Sequence, residues 1–133
     1  MSVEGSRLTV ADAVGEGDLG EDEQCDTDTA ERLARIALTR IVEPGDETAG
    51  RWLRAYGAQE VLAALRGNGE PLPGVTAQRW VGLRSRTQRA CPEADLAAVE
   101  AVGGRFLCPG DREWPGQLDA LGVTRPIGLW VRG

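Results

Sequence analysis

The stretch that decides the fold is GRFLCPGDREWPGQLDALGVTRPIGLWVRG, residues 104–133. A short apolar run at Arg105–Cys108 is followed by a Pro-Gly-Asp turn, and a second apolar run spans Ile127–Val131. Between the two runs, Pro115 favours the start of a helix over residues 115–121, because proline is well suited to a first helical turn. Two strands around a helix predict a β-α-β unit, in which a right-handed crossover makes the strands parallel.

Parallel strands occur almost only in sheets that are covered on both faces, and two strands cannot supply such a sheet. We therefore expect residues 104–133 to be the truncated start of a larger α/β domain that continues beyond Gly133.

Upstream of this unit, residues 29–103 predict a small all-α domain of five helices. Asp28 with Glu31 forms a capping-box pattern, Asp46 and Thr76 are further candidate N-caps, and Pro92 fits the first turn of the fifth helix. The apolar stripes expected to face the core are Leu33, Ile36, Ala37 and Ile41, then Ala49, Trp52, Leu53 and Tyr56, then Val61, Leu62 and Leu65, then Trp80, Leu83 and Thr87, and finally Leu96, Val99 and Val102.

Charge is distributed unevenly along the chain. Residues 1–28 hold nine acidic residues and one arginine, so the rest of the chain carries a net charge of about +2 although the whole has −6. Such a segment is typical of a disordered leader, which either solvates the protein or mimics nucleic acid. All basic residues are arginine, which either reflects codon usage or serves phosphate contact.

The composition excludes several classes of site and location. The chain has no histidine, and its three cysteines, Cys25, Cys91 and Cys108, show no C-x-x-C spacing. We therefore expect no His-dependent catalysis, no metal and no disulfide framework. Neither a signal peptide nor an apolar run of about 20 residues is present, so a cytoplasmic protein without a membrane span is expected. No G-x-G-x-x-G fingerprint follows a strand, and we expect no cofactor.

The carboxy-terminal pattern resembles the DNA-processing protein A family (DprA, also called Smf). The matching string is G-G-R-F-L-C-P-G-D-R-E-W-P-x-x-L-x-x-L followed by R-P-x-x-L-W-V-R-G. Arg32–Ile41 and Trp52–Gly57 are similar to helices of the family's amino-terminal domain. The resemblance covers residues 30–133 and leaves the leader unexplained.

The resemblance implies a helical, sterile-alpha-motif-like domain ahead of a Rossmann-like domain. It also implies single-stranded DNA binding, homodimerisation of the full-length protein, and loading of the RecA recombinase during natural transformation, without enzymatic activity. The family's Gly-Ser-Arg DNA motif does not occur after Gly104. Gly5-Ser6-Arg7 lies in the leader, and we interpret it as chance.

The main candidate nucleic-acid site is a cluster of four arginines, Arg79, Arg84, Arg86 and Arg89, with no acidic residue among them. Helical spacing puts three of them, at 79, 86 and 89, on one face. Such a patch binds phosphates with a strong dependence on salt, and the neighbouring Trp80 would stack a base. The alternative, which we favour, is a solvated helix face with Trp80 in the core.

Two weaker candidates are more readily explained as structure. Ile41–Leu53 resembles a helix-hairpin-helix, but its turn reads Glu43-Pro44-Gly45-Asp46-Glu47, and carboxylates repel phosphate. Asp111 and Glu113 are a possible acid-base pair without a nucleophile or metal ligand nearby, so we expect Asp111 to cap the following helix or turn instead. Trp114 and Trp130 are expected to be packing anchors.

These observations lead to one main hypothesis and two alternatives. The main hypothesis is a DNA-processing accessory protein of the DprA type. The first alternative is a helical protein-interaction module that does not contact DNA. The second, an enzyme with a nucleotide site, is disfavoured because the chain has neither histidine nor a glycine fingerprint.

Overall fold

The computed structural model describes residues 27–132. Almost all of the predicted acidic leader, including the Gly5-Ser6-Arg7 triplet and Cys25, lies outside this range. Five α-helices come first, and a small β-region follows them. The helices are α1 (Thr29–Ile41), α2 (Glu47–Tyr56), α3 (Ala58–Arg66), α4 (Ala77–Arg89) and α5 (Pro92–Glu100). The β-region comprises β1 (Gly104–Leu107), a 3-10 segment (Gly116–Thr124) and β2 (Leu129–Arg132).

The helices begin where the sequence predicts. Asp28 Oδ1 accepts a hydrogen bond from the Glu31 amide at 2.8 Å, and Asp46 Oδ1 accepts one from the Ala49 amide at 2.9 Å. Thr76 Oγ1 does the same for the Arg79 amide at 3.1 Å. Each contact satisfies a backbone donor that the first helical turn leaves without a partner. The three predicted N-caps are therefore confirmed, as is the position of Pro92 in the first turn of α5.

The main core lies between α1, α2, α3 and α4. Trp52 and Trp80 meet edge to face at its centre, with ring centroids 5.7 Å apart. Most of the predicted stripe residues are buried or half-buried, but two predictions are wrong: Tyr56 is 42% exposed and Val102 is 56% exposed. Tyr56 is the last residue of α2, and Val102 lies beyond the end of α5 at Glu100, so both errors fall at helix ends.

The predicted parallel β-α-β unit is wrong, because β1 and β2 pair antiparallel. Gly104 lies opposite Arg132, and Leu107 lies opposite Leu129. The reason is the connecting segment, which is a 3-10 helix broken at Gly122 rather than the predicted α-helix 115–121. Glycine weakens an α-helix, and this segment packs on α2 instead of crossing a sheet face. The chain therefore returns to β1 in the opposite direction.

A second, smaller core joins the β-region to the helices. It is formed by Ile36, Phe106 and Cys108, with Leu33 and Leu96 packed against it. Arg35 of α1 donates from Nη1 to the carbonyl oxygen of Ile127 at 2.8 Å. The part of the chain that the structure describes is thus helix-rich with a small antiparallel sheet, and the domain boundary at residues 103–104 stays a prediction.

Within residues 27–132, no helix is both long enough and apolar enough to cross a membrane.

Candidate nucleic-acid interface

Two of the four arginines of the predicted site, Arg79 and Arg84, connect α4 to other helices. Arg79 forms an ion pair with Asp46, the N-cap of α2. Arg84 donates from Nε to the carbonyl oxygen of Leu65 at 3.2 Å and from Nη2 to Asn68 Oδ1 at 3.0 Å, where α3 ends. Their guanidinium groups are therefore already engaged by oxygen acceptors of the protein itself.

The other two arginines lie together at the carboxyl end of α4. Arg86 donates from Nη1 to the carbonyl oxygen of Ile41 at 2.9 Å, and so binds the carboxyl end of α1. Arg89 donates from Nη2 to Ser85 Oγ of its own helix at 3.3 Å, and within the described residues it makes no hydrogen bond to another helix. Both line a cleft of about 190 Å³ that also includes Arg40, a residue that the sequence analysis did not select. Three arginines thus line one cleft whose lining contains no carboxylate.

Arg40 is held by Asp95 of α5 in a two-pronged ion pair. Its Nε and Nη2 lie 2.9 and 2.8 Å from the two carboxylate oxygens. The hydrogen bond to Arg40 holds the pKa of Asp95 below its usual range, and the same bond raises the pKa of Arg40. Because the Arg40 side chain is largely exposed, solvent screens this pair and an incoming anion can compete for the guanidinium.

Arg40 also borders a second cleft, of about 450 Å³. The lining of this cleft consists of Thr39, Arg40, Asp95, Ala98, Val99 and Trp130. Trp130 of β2 is 39% exposed, and its ring meets Phe106 edge to face at 4.7 Å between centroids. The predicted packing role of Trp130 therefore holds for only part of its surface. We call the two clefts together the Arg40 groove.

Trp80 and Trp114 differ from Trp130 because both are buried. Trp80 is only 3% exposed and belongs to the main core, so the base-stacking role considered for it is wrong and the core interpretation is confirmed. Trp114 is buried, as a packing anchor should be, and its Nε1 donates to Asp119 Oδ1 at 3.2 Å.

The Ile41–Leu53 hairpin has the geometry of a structural turn. Gly45 adopts a positive φ of 79°, which glycine tolerates without strain. The Asp46 amide donates to the carbonyl oxygen of Glu43 at 3.2 Å. The Asp46 carboxylate occupies the amino terminus of α2, where a helix-hairpin-helix would hold its phosphate. The turn thus supplies its own anion.

The two carboxylates Asp111 and Glu113 do not form a pair. Glu113 binds Arg105 through two hydrogen bonds of 2.6 Å. Asp111 is buried, and it accepts from the Cys108 amide at 2.8 Å, the Thr27 amide at 2.7 Å and Arg32 Nη1 at 2.9 Å. It closes the Pro-Gly-Asp turn, as predicted, and in addition fastens that turn to α1.

The electrostatics around Asp111 fit a structural role. Burial alone would raise the pKa of Asp111, but the hydrogen bonds from Arg32 and from the two backbone amides outweigh it and lower the pKa. Burial raises the pKa of the neighbouring Cys108 thiol to about 11, although Arg32 opposes this. A thiol in that state is protonated and unreactive near neutral pH.

Arg40 and Asp95 were not found from the sequence, because their ion pair joins α1 to α5 across 55 positions of the chain. The only local signal was the place of Arg40 in the last turn of α1, where a basic side chain favours the helix dipole. Among residues 27–132, no group of His, Cys, Asp and Glu side chains could hold a metal ion.

Comparison of the chain with family models, curated proteins and solved structures finds no significant match. The resemblance to the DprA family therefore stays a prediction.

Proposed function

We propose that this chain is a non-enzymatic DNA-processing accessory protein that binds single-stranded DNA through the Arg40 groove. The observation that carries the proposal is the convergence of Arg40, Arg86 and Arg89 on one cleft without a lining carboxylate. A planar guanidinium presents paired donors that suit phosphate oxygens. Arg86 and Arg89 add positive charge to the cleft, whereas the charge of Arg40 is offset by its ion pair with Asp95.

The proposal includes what the DprA resemblance implies for a full-length protein. That protein would act in DNA-mediated transformation in the cytoplasm, form a homodimer, and load the RecA recombinase onto the strand that it holds. The helical part would be the sterile-alpha-motif-like domain of the family. Open, mostly parallel sheets often carry an antiparallel edge strand, and so the pairing of β1 with β2 is compatible with a Rossmann-like continuation.

The proposal is tested by the fluorescence anisotropy of a labelled oligothymidine, titrated with the protein from low to physiological salt. Binding through phosphates releases counterions, so we expect the affinity to fall steadily as salt rises. Substitution of Arg89 by Gln should weaken binding and reduce the slope of log affinity against log salt by about 0.7, the value for one phosphate contact on a single strand.

Arg89 is the informative position because, within residues 27–132, its side chain hydrogen-bonds to Ser85 of the same helix and to no other helix, whereas Arg86 also binds the end of α1. Arg51→Gln is the matched control, because Arg51 is exposed on α2 and does not line the Arg40 groove. Equal affinity of wild type and the Arg89→Gln variant, or an affinity that ignores salt, would refute the proposal.

A protein-interaction module without DNA contact is the second candidate. It is favoured by the engagement of Arg79 and Arg84 with oxygen acceptors of the protein itself, which removes half of the predicted basic patch. In that case the Arg89→Gln variant should retain protein partners in a pull-down as well as wild type does, and neither protein should shift the anisotropy of the oligothymidine.

A further inference from the structure

The second cleft of the Arg40 groove contains an aromatic surface beside a cation. Trp130 is the only tryptophan among residues 27–132 with substantial exposure, since Trp52, Trp80 and Trp114 are all buried. Its contact with Phe106 is edge to face, at an interplanar angle of 63°, and its indole lines the same cleft as Arg40. An indole held by a neighbouring ring and still partly open to solvent suits stacking of a planar ligand.

The rest of the cleft has the mixed character that a nucleobase requires. Ala98 and Val99 of α5 give it an aliphatic wall, and Thr39 and Asp95 supply polar groups. A base has two apolar faces and a polar edge, so it can lie on the indole while its edge meets these polar groups.

Arg40 connects this cleft to the other one, because it lines both. A phosphate among Arg40, Arg86 and Arg89 and a base on Trp130 would therefore both lie against Arg40, which allows them to belong to one nucleotide. The Asp95 carboxylate holds two of the donors of Arg40, and a phosphate has to compete with it for them.

We infer that the Arg40 groove is a nucleotide subsite. The phosphate binds in the arginine cleft, the base stacks on Trp130, and Asp95 is the carboxylate that the phosphate displaces from Arg40. This inference rests on the proposed function. It adds that Trp130 is the surface on which the base stacks and that Asp95 competes with the phosphate for Arg40.

The experiment uses two oligonucleotides of the same length, an oligothymidine and its abasic counterpart, which share the phosphates but differ in the bases. Wild type should bind the oligothymidine about tenfold more tightly than the abasic strand, the size of effect that one stacked base provides. The Trp130→Leu variant should bind the two strands equally, and the Trp130→Phe variant should keep most of the preference, because phenylalanine still offers an aromatic face.

Tyr56→Leu is the matched aromatic control. Tyr56 is 42% exposed, close to the 39% of Trp130, but it does not line the groove. The control should keep the full preference for bases. Circular dichroism melting of each variant separates loss of stacking from loss of folding. If Trp130→Leu does not fold, the wild-type comparison of the two strands still tests the base contact, because equal binding of both strands refutes it.

The role of Asp95 is tested by Asp95→Asn, which should tighten binding of both strands by up to about fivefold, since an exposed ion pair is weak. Glu93→Gln removes the same charge from the same helical turn without touching Arg40, and it should have a clearly smaller effect.

The outcomes separate this inference from the proposed function. If wild type binds both strands equally, or if Trp130→Leu keeps the preference for bases, the base platform is refuted while DNA binding stands. If Asp95→Asn and Glu93→Gln behave alike, the competition at Arg40 is refuted. If wild type binds neither strand even at low salt, both the proposed function and the inference are wrong.

Discussion

Substitution of Gly50 by alanine tests how the carboxy-terminal region is held on the helices. Gly50 lies within α2, where the 3-10 segment passes over it. A Cβ at this position would lie 1.8 Å from the carbonyl oxygen of Val123 and 2.7 Å from its carbonyl carbon. These obstacles are backbone atoms, so no side-chain rotation relieves the overlap, and the segment has to move away from α2.

Two opposing effects set the magnitude. Alanine in place of glycine inside a helix stabilises by about 1 kcal/mol. Overpacking costs about 1–3 kcal/mol, and a backbone overlap of this depth belongs at the upper end of that range or beyond it. We therefore expect Gly50→Ala to lower the free energy of unfolding by about 2 kcal/mol, which corresponds to a fall in Tm of about 8 °C for an ordered region of this size.

The assay is urea denaturation followed by circular dichroism, with Gly82→Ala as the matched control. Gly82 lies in α4, and a Cβ there would meet nothing within 4 Å. The control should therefore gain the helical stabilisation of about 1 kcal/mol without an opposing cost. If Gly50→Ala stabilises the protein as much as Gly82→Ala does, the close approach of Val123 to α2 is wrong.

Three further predictions concern the buried Asp111 and its surroundings. Asp111→Asn should lower the free energy of unfolding by about 3 kcal/mol, because it removes a buried carboxylate that pairs with Arg32 and accepts from two backbone amides. In the same urea titration Glu113→Gln should barely move the midpoint, and equal effects would contradict this. The pKa of Asp111 is lower in the folded state than in the unfolded state, where it is about 3.9. The stabilisation that ionised Asp111 gives the folded state is therefore fully present above about pH 3.9, and it is lost as the pH falls through the folded-state pKa. Thermal melts at stepped pH should therefore show a steeper loss below about pH 4 in wild type than in Asp111→Asn, and parallel curves would count against the lowered pKa. In a Cys25→Ser variant at about pH 8, Ellman's reagent should titrate exposed Cys91 at once and buried Cys108 only after unfolding, and two fast thiols would show that Cys108 is accessible.

Much of the helical part could be predicted from local sequence. Asp28, Asp46 and Thr76 cap helices because the side-chain oxygen of each accepts a hydrogen bond from the backbone amide three residues later. This contact is local and does not depend on how the helices pack. The apolar spacing around Trp52 and Trp80 likewise identified the core side chains, since only one face of each helix can be buried. Errors arose where an element ends, as at Tyr56 and Val102.

The sequence indicated only part of the candidate site, namely Arg86 and Arg89. The run of arginines in α4 could be read directly, but which of them face a common cleft depends on where α1, α3 and the α2 N-cap lie. Arg40 and Trp130 join Arg86 and Arg89 through contacts between distant parts of the chain. No local pattern specifies such contacts.

The sequence by itself determined the five helices, three of their N-caps, most of their buried faces and the presence of two short apolar strands, because these depend on interactions within a few residues. The tertiary structure alone decided that the strands run antiparallel. That direction follows from the packing of the 3-10 segment on Gly50 of α2, which a short apolar pattern does not specify. It also decided which arginines share a cleft, since the direction of a long side chain is set by the acceptor that it finds after the helices have packed.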